Sequence, residues 1–422
     1  MRQQWCVLLK YGEMALKGRN KERFERQLLD NLRYSLADLG GPVQIKRRDG
    51  VLVLSAPAYQ EELVARARRL IGISVVQPAL RVPKDPEAVA DAAVELAGKQ
   101  HPSDPPPRFA VRARRRHKKF PMTSEQFAAF IGARIHTELG WPVDLDTPQV
   151  EILVEVDRHE VFLSTERHRG QGGLPVGTSG KALALISGGF DSPVAAYRAM
   201  RRGLRCEFVH FSGAPFTGPS STYKAYALVR QLSAFQGATR LHVIPIGRAQ
   251  RALATAGAGE LQIVAQRRLM VRVADQLAQR LGAQALITGD SLGQVSSQTL
   301  PNLAAVEQAA TLPVLRPLVG WDKTEIIAEA TEIGTAEISK LPDEDCCTLL
   351  LPPRVTTHAE PQRLARVEGR LDLDQIVDEL LTDVQVMNID VTQSAQEPVR
   401  SCEVGEREET RRSAVVAHAV GE

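Results

Sequence analysis

Apolar residues in the first 76 positions recur with two different periods. Val7-Leu8-Leu9 is a run of strand length, while Phe24, Leu28, Leu32 and Leu36 return every fourth residue and predict a helix over 21–39. Runs over 43–48 and 51–54 flank Asp49-Gly50, a dipeptide preferred in two-residue hairpin turns because it tolerates positive φ. A helix over 61–70 and a strand near 73–76 complete the order β-α-β-β-α-β, that of the ferredoxin-like motif. Asp85-Pro86 offers a cap and a first-turn proline for another helix. After the proline-rich loop 101–107 a strand is expected over 108–112. A helix capped by Ser124 follows, with Phe127, Ile131, Ile135 and Leu139 inward and Gly140 as its stop. Runs over 151–156 and 160–163 predict a second hairpin.

The glycine-rich stretch 170–180 marks a boundary. Beyond it the pattern becomes βαβα, with short apolar strands expected at 182–186, 206–211, 241–246 and 285–288. That alternation implies a parallel sheet with helices on both faces. Ligands of such sheets bind outside the carboxyl ends of the strands. Ser187-Gly188-Gly189, His210-Phe211 and Gly289-Asp290 all fall at that edge. After Pro353 the chain turns acidic, with one helix expected over 374–381, and 392–422 lacks sustained apolar periodicity and is expected to be disordered.

At 422 residues the chain has room for two to three domains. It has no apolar run long enough for a signal peptide or a membrane span. Five scattered cysteines do not make a disulfide framework, so the reducing cytoplasm is the expected location. Charge is uneven. Residues 1–170 hold 28 Lys/Arg against 22 Asp/Glu, whereas residues 360–422 hold 7 against 14. A basic front half beside a nucleotide site suits a polyanionic substrate.

The hexapeptide Ser187-Gly188-Gly189-Phe190-Asp191-Ser192 directly follows an apolar strand. Such a strand–glycine–helix junction cradles phosphate with backbone N–H groups and the next helix's N-terminus. It is not a Walker loop: Gly180-Lys181-Ala182 imitates only the tail of one, with Pro175 where the first glycine should be. The pattern S-G-G-x-D-S instead resembles the PP-loop of ATP pyrophosphatases. Asp191 would hold Mg²⁺ or organise the loop, unless it or Ser192 merely caps the helix. Arg267 offers a planar fork for phosphate or a base edge, or lies on a solvated helix face. Asp322-Lys323-Thr324-Glu325 is close to a capping box, which accounts for the two acids and leaves Lys323 for a pyrophosphate. Cys346-Cys347 cannot easily bond to each other and lack metal-site spacing. A thiolate that accepts or attacks sulfur fits better, although the neighbouring acids would raise its pKa. Cys6 and Cys206 read as small core residues. Six Arg/Lys in 112–119, ending beside Phe120, suit phosphate contacts and base stacking.

Together these segments resemble the ThiI family of tRNA 4-thiouridine synthetases (tRNA sulfurtransferases) over residues 5–355. The resemblance rests on the stretches 11–18, 118–121, 172–177, 187–196, 210–211, 288–299, 322–323 and 344–347. It implies an α/β chain with a ferredoxin-like α+β domain (1–60), a THUMP RNA-binding domain (61–167), a linker (168–180), a PP-loop ATP-pyrophosphatase domain (181–390) and a tail (391–422). ATP would adenylylate O4 of uridine 8 in tRNA, and a persulfide sulfur from a cysteine desulfurase would displace AMP. By position, nucleotide contacts fall to Leu185, Ile186, His210, Phe211, Arg267, Gly289 and Gln298, beside the loop residues Ser187, Gly188, Gly189 and Ser192. Asp191 and Lys323 match the family's essential acid and lysine, and one of Cys346 and Cys347 matches its PP-loop-domain cysteine. Arg114, Arg115, Lys118 and Lys119 are expected on tRNA phosphates. ATP with Mg²⁺ is the expected nucleotide, and tRNA, the desulfurase, the ThiS carrier of thiamine thiazole synthesis and a second copy of the chain are the expected partners, with no membrane.

Two departures stand out. Phe190 replaces the usual isoleucine, a swap expected to alter packing only. The short acidic stretch after Pro353 points to the form without a rhodanese domain, which weighs against the ThiS role. Rival readings are a PP-loop thiolase of another tRNA base, an amidating synthetase of the same fold, or a tRNA-binding protein with an inactive nucleotide site.

Overall fold

The computed structural model describes residues 4–390 apart from 17, 40, 49, 57–59, 101–104, 345–349 and 351. Cys346, Cys347, Cys402 and the expected tail at 391–422 lie outside the described residues. No described helix is long and apolar enough to cross a membrane.

Strands β1 (Gln4–Tyr11), β2 (Gln44–Arg48), β3 (Val51–Ser55) and β4 (Ile73–Val82) pair antiparallel in the order β2-β3-β1-β4, with helices α1 (Lys21–Ser35) and α2 (Gln60–Arg69) beside them. The apolar stripe of α1 explains its placement: Leu28 and Leu32 are fully buried against Val7, Leu9, Leu52 and Leu54. Leu63 and Ala67 of α2 enter the same core. The break expected after residue 60 therefore runs through one hydrophobic core. Gly50 takes φ +73° in the turn between β2 and β3, as a tight hairpin demands.

The sheet does not stop at β4. Helix α3 (Pro86–Gln100) precedes β5 (Phe109–Arg115), helix α4 (Ser124–Leu139), β6 (Val150–Val156), β7 (Val161–Ser164) and the short β8 (His168–Arg169). The path continues β4-β7-β6-β5, and β8 pairs with β4. One eight-stranded sheet thus carries both front modules. Thr123, not Ser124, caps α4: its hydroxyl accepts from the Gln126 N–H, and the Gln126 side chain reaches back in a full capping box. Both residues can cap, and only the extended φ/ψ of Thr123 decides between them.

The second sheet is built from β9 (Lys181–Leu185), β10 (Arg205–Ser212), β11 (Thr239–Pro245), β12 (Leu286–Ile287), β13 (Val314–Leu315) and β14 (Gln385–Ile389), in the order β13-β12-β9-β10-β11-β14. All neighbours are parallel except β11 and β14. Alternate strand residues enter opposite cores: Leu183 and Val209 face one side, Ala182, Ala184 and Phe208 the other. Helices α5 (Asp191–Arg201), α6 (Ser220–Gln236), α7 (Gly247–Thr255), α8 (Gln262–Arg280), α9 (Leu300–Glu307), α10 (Lys323–Glu332) and α11 (Ala336–Ser339) connect the strands. Beyond residue 353 the fold has more structure than the single expected helix. Helix α12 (Pro361–Glu368) and helix α13 (Leu373–Thr382) pack through Leu364, Val367, Val377 and Leu380, and β14 closes the sheet edge.

Cys6 and Cys206 are buried core residues, and burial pushes both thiols up to about 12. At the amino-terminal edge of the parallel sheet, buried Glu207 accepts from Lys181 (2.6 Å), Arg240 (2.8 Å) and His242 (2.9 Å). Burial alone would raise its carboxyl, but the bonds from His242, Arg240 and Lys181 win and hold it down at about 2. A depressed carboxylate pKa contributes stability above its unfolded value, and that contribution fades as pH falls toward the folded value. Glu207→Gln should cost about 3 kcal/mol at pH 7, and its deficit against wild type should shrink between pH 4.5 and 2. Urea midpoints measured across that range check this.

Candidate nucleotide-binding and catalytic site

The phosphate loop leaves β9 at Leu185 and enters α5 at Asp191 without a side-chain cap. Its own hydroxyls close it. The Ser187 N–H donates to Ser192 Oγ (2.9 Å), and the two hydroxyls stand 3.1 Å apart. Asp191 is therefore not spent on capping. Its Oδ1 accepts from Lys323 Nζ at 2.7 Å, and its Oδ2 from Gln294 Nε2 at 3.1 Å. Lys323 is the first residue of α10, whose start is fixed by the capping box of Asp322 and Glu325. The lysine side chain is 41% exposed and Asp191 22%, so the pair sits at an open mouth rather than in the core. The ammonium also lies 5.6 Å from the Phe190 ring centroid. The phenylalanine substitution thus does more than alter packing, since an aromatic face attracts a cation.

Two glycines permit close approach here. A Cβ on Gly289 would fall 2.6 Å from the Ser192 N and 2.8 Å from the Asp191 carbonyl carbon, so the loop after β12 rests directly on the start of α5. A Cβ on Gly188 would collide with the Asp343 carboxylate and crowd the Lys224 stem. His210 is buried, 3.0 Å from the Ile186 carbonyl through Nδ1 and 3.3 Å from Ser221 Oγ through Nε2, which ties β10 to the phosphate loop. The Phe211 side chain is packed into the core, and its main chain lies in the β10–β11 ladder opposite Ile244.

Arg267 does not lie on a solvated face. It pairs with Asp290 and donates to the Ser297 carbonyl (3.1 Å). Gln298 Nε2 reaches the same carboxylate at 3.3 Å, Thr288 Oγ1 donates to it at 2.8 Å, and Arg316 stands at 3.4 Å. Burial pushes the Asp290 carboxyl up, but Arg267, Thr288 and Arg316 outweigh it and hold the group below the usual range. Asp290 is thus the hub that orients two expected nucleotide contacts, a role not assigned from sequence although it adjoins Gly289.

The basic run divides. Arg114, Lys118 and Lys119 are exposed. Arg115 instead donates to the carbonyls of Met122 (2.7 Å) and Phe120 (3.5 Å), folding its own loop. Arg116 pairs with buried Glu155 (2.7 Å), which also binds Lys10 of β1. Arg115 and Arg116 therefore hold the run in place. Of the other four, Arg112 is exposed but bonds Glu151 and the Leu145 carbonyl, and Arg114, Lys118 and Lys119 are the remaining outward cations.

A Nocardia farcinica protein named "Probable tRNA sulfurtransferase" is 59% identical over 401 residues, covering 93% of this chain and 96% of its own. The chain belongs to the ThiI family of tRNA sulfurtransferases. A Thermus thermophilus protein of the same name is 41% identical over 89% of this chain and 92% of its own. Three family descriptions match in order: "ThiI ferredoxin-like domain" over 6–76, "THUMP domain" over 83–166 and "Thiamine biosynthesis protein (ThiI)" over 177–373. A crystal structure of a 4-thiouridine synthetase–RNA complex with bound ATP superposes with a TM-score of 0.83 at 33% identity, covering 92% of this chain and all of that one. The ThiI architecture of ferredoxin-like domain, THUMP domain and PP-loop parallel sheet is the one found here. In ThiI terms, Asp191, Lys323, Gly289, Arg267 and Gln298 meet at one edge of the parallel sheet.

Replacing Gly289 with Ala should displace the start of α5, because the atoms in the way are backbone. ATP affinity, measured by calorimetry, should fall at least about tenfold (about 1.4 kcal/mol) with an unchanged far-ultraviolet circular dichroism spectrum.

Proposed function

We propose that this protein uses ATP to convert uridine 8 of tRNA into 4-thiouridine. The observation that carries the reading is the Asp191–Lys323 ion pair at the mouth of the phosphate loop. A cation held beside phosphate-binding N–H groups suits a reaction in which negative charge builds on phosphate oxygens. Uridine O4 attacks the α-phosphorus of ATP, an O–P bond forms, pyrophosphate leaves and the N3 proton passes to solvent. The outer sulfur of a persulfide, donated by a cysteine desulfurase, then attacks C4 and AMP leaves. A thiolate breaks the remaining S–S bond and frees 4-thiouridine, and the resulting disulfide takes two electrons from a thiol reductant. Cys346 and Cys347 are the proposed carriers of that sulfur.

Mg²⁺ commonly binds through one or two carboxylates together with substrate phosphates and water. Asp191, beside the loop, fits such a shared site, and no group of three or more acidic, histidine or cysteine side chains forms a separate one among the described residues. When bound with ATP, the ion would neutralise phosphate charge. Asp191 would then hold the ion, and Lys323 would be released toward the phosphates. A tRNA-binding protein with an inactive nucleotide site would have no use for this pair.

Asp191→Ala and Lys323→Met should each fold and lower AMP formation with tRNA and ATP by at least about a hundredfold, roughly 2.7 kcal/mol of transition-state stabilisation. Wild-type turnover in either would overturn the reading. Arg114, Lys118 and Lys119 are proposed to meet tRNA phosphates. Changing all three to Ala should weaken tRNA binding and reduce the slope of log affinity against log salt by about 2, because fewer counterions are released. Filter binding at several salt concentrations measures both.

A further inference from the structure

We infer that Lys224 is a positioning residue for sulfur delivery, because it anchors the segment that leads into Cys346 and Cys347 against the phosphate loop. The inference rests on the reading of those cysteines as sulfur carriers. Lys224 lies on α6, and its side chain is only 7% exposed, which is unusual for a lysine. It turns away from solvent toward a single stretch of chain. Nζ donates to the Leu341 carbonyl at 2.5 Å and stands 3.4 Å from the Asp343 carboxylate.

Neighbouring bonds hold the same stretch. Ser339 Oγ reaches the Gly189 carbonyl of the phosphate loop at 3.3 Å. The Glu344 carboxylate accepts from the Gly218 N–H at 2.6 Å, and the Glu344 N–H donates to Ser220 Oγ at 3.2 Å. Residues 339–344 are thereby tied both to the phosphate loop and to the start of α6. The Asp343 carboxylate occupies the space a Cβ on Gly188 would need. Of these ties Lys224 alone is buried and charged, and breaking such a pair leaves Asp343 without its counterion in a half-buried place. A chain leaving Glu344 covers at most about 3.6 Å per residue. Anchoring Glu344 at Gly218 and Ser220 therefore limits how far from that anchor a thiol two or three residues later can reach. Adenylylation needs no such tether, because its groups come from other elements.

The full-length protein tests this through one ratio: 4-thiouridine formed with desulfurase plus cysteine as donor, divided by that formed with free sulfide. Any general loss of nucleotide or tRNA binding cancels in the ratio. Lys224→Met should lower it at least tenfold, and Lys224→Arg, which keeps the charge, should restore most of it. Should Lys224→Met fail to fold, Glu344→Ala at the exposed end of the segment should still lower the ratio about threefold or more. An unchanged ratio in the folded Lys224→Met protein, or in Glu344→Ala if the first does not fold, overturns the inference. Cys346→Ser/Cys347→Ser in the same assay separates the two claims. If that double variant keeps the wild-type ratio, the cysteines are not the carriers. If it loses the ratio while Lys224→Met keeps it, only the anchoring role of Lys224 falls.

Discussion

Everything at the candidate site depends on parallel strands ending at one edge. Because β9, β10 and β12 run side by side in the same direction, the segments after Leu185, Ser212 and Ile287 emerge together. The helices that follow present their starts to the same space, where unpaired N–H groups and the helix dipole favour an anion. Asp191 is the first residue of the helix after β9 and Lys323 of the helix after β13, which runs parallel beside β12, and their ion pair joins positions 132 apart in the chain.

Close backbone approach is the second constraint. The loop after β12 can sit on the start of α5 only because Gly289 lacks a Cβ. That contact brings Asp290 near enough to gather Arg267, Gln298, Thr288 and Arg316 around one buried carboxylate. A buried acid surrounded by donors is rigid, because releasing any partner leaves a charge uncompensated in a poorly solvated place. The arginine and glutamine expected to meet nucleotide are therefore held before it arrives, which lowers the ordering cost of binding.

The front half works as a platform. Its single eight-stranded sheet joins the ferredoxin-like and THUMP modules through β4, and the Lys10–Glu155–Arg116 cluster bonds β1 to β6 and to the basic loop. Glu155 is held ionised despite burial, because Lys10 and Arg116 outweigh desolvation. The platform meets the catalytic domain through specific bonds, Tyr34 to Asp390 (2.6 Å) and Arg202 to Glu13 (2.7 Å), and Asn31 bonds the Val176 carbonyl of the connecting segment (3.0 Å). Outward cations on β5 and its loop thus belong to a surface fixed relative to the phosphate loop.

Much of this was legible in the sequence alone, because the signals are local. The hexapeptide 187–192 states a strand–loop–helix junction in consecutive residues, Asp322 and Glu325 state a capping box, and the fourfold spacing of Phe24 to Leu36 states a buried helix face. Local signals also determine that Cys6 and Cys206, small and set in apolar strands, are core. The tertiary structure alone decided which distant charges meet. Arg114 and Arg115 are the same residue type one position apart, yet alternation along a strand turns one outward and the other into its own loop. Lys224 lies in no motif, and Asp290, although inside the stretch 288–299, shows nothing locally of its hub role, since a buried ion acquires its role from partners that arrive from elsewhere in the chain. Strand β14, with mixed polarity and an edge position, gains its identity only by pairing with β11. Sequence specifies what each segment can form; long-range packing specifies what it will touch, because contact depends on three-dimensional proximity and not on spacing along the chain.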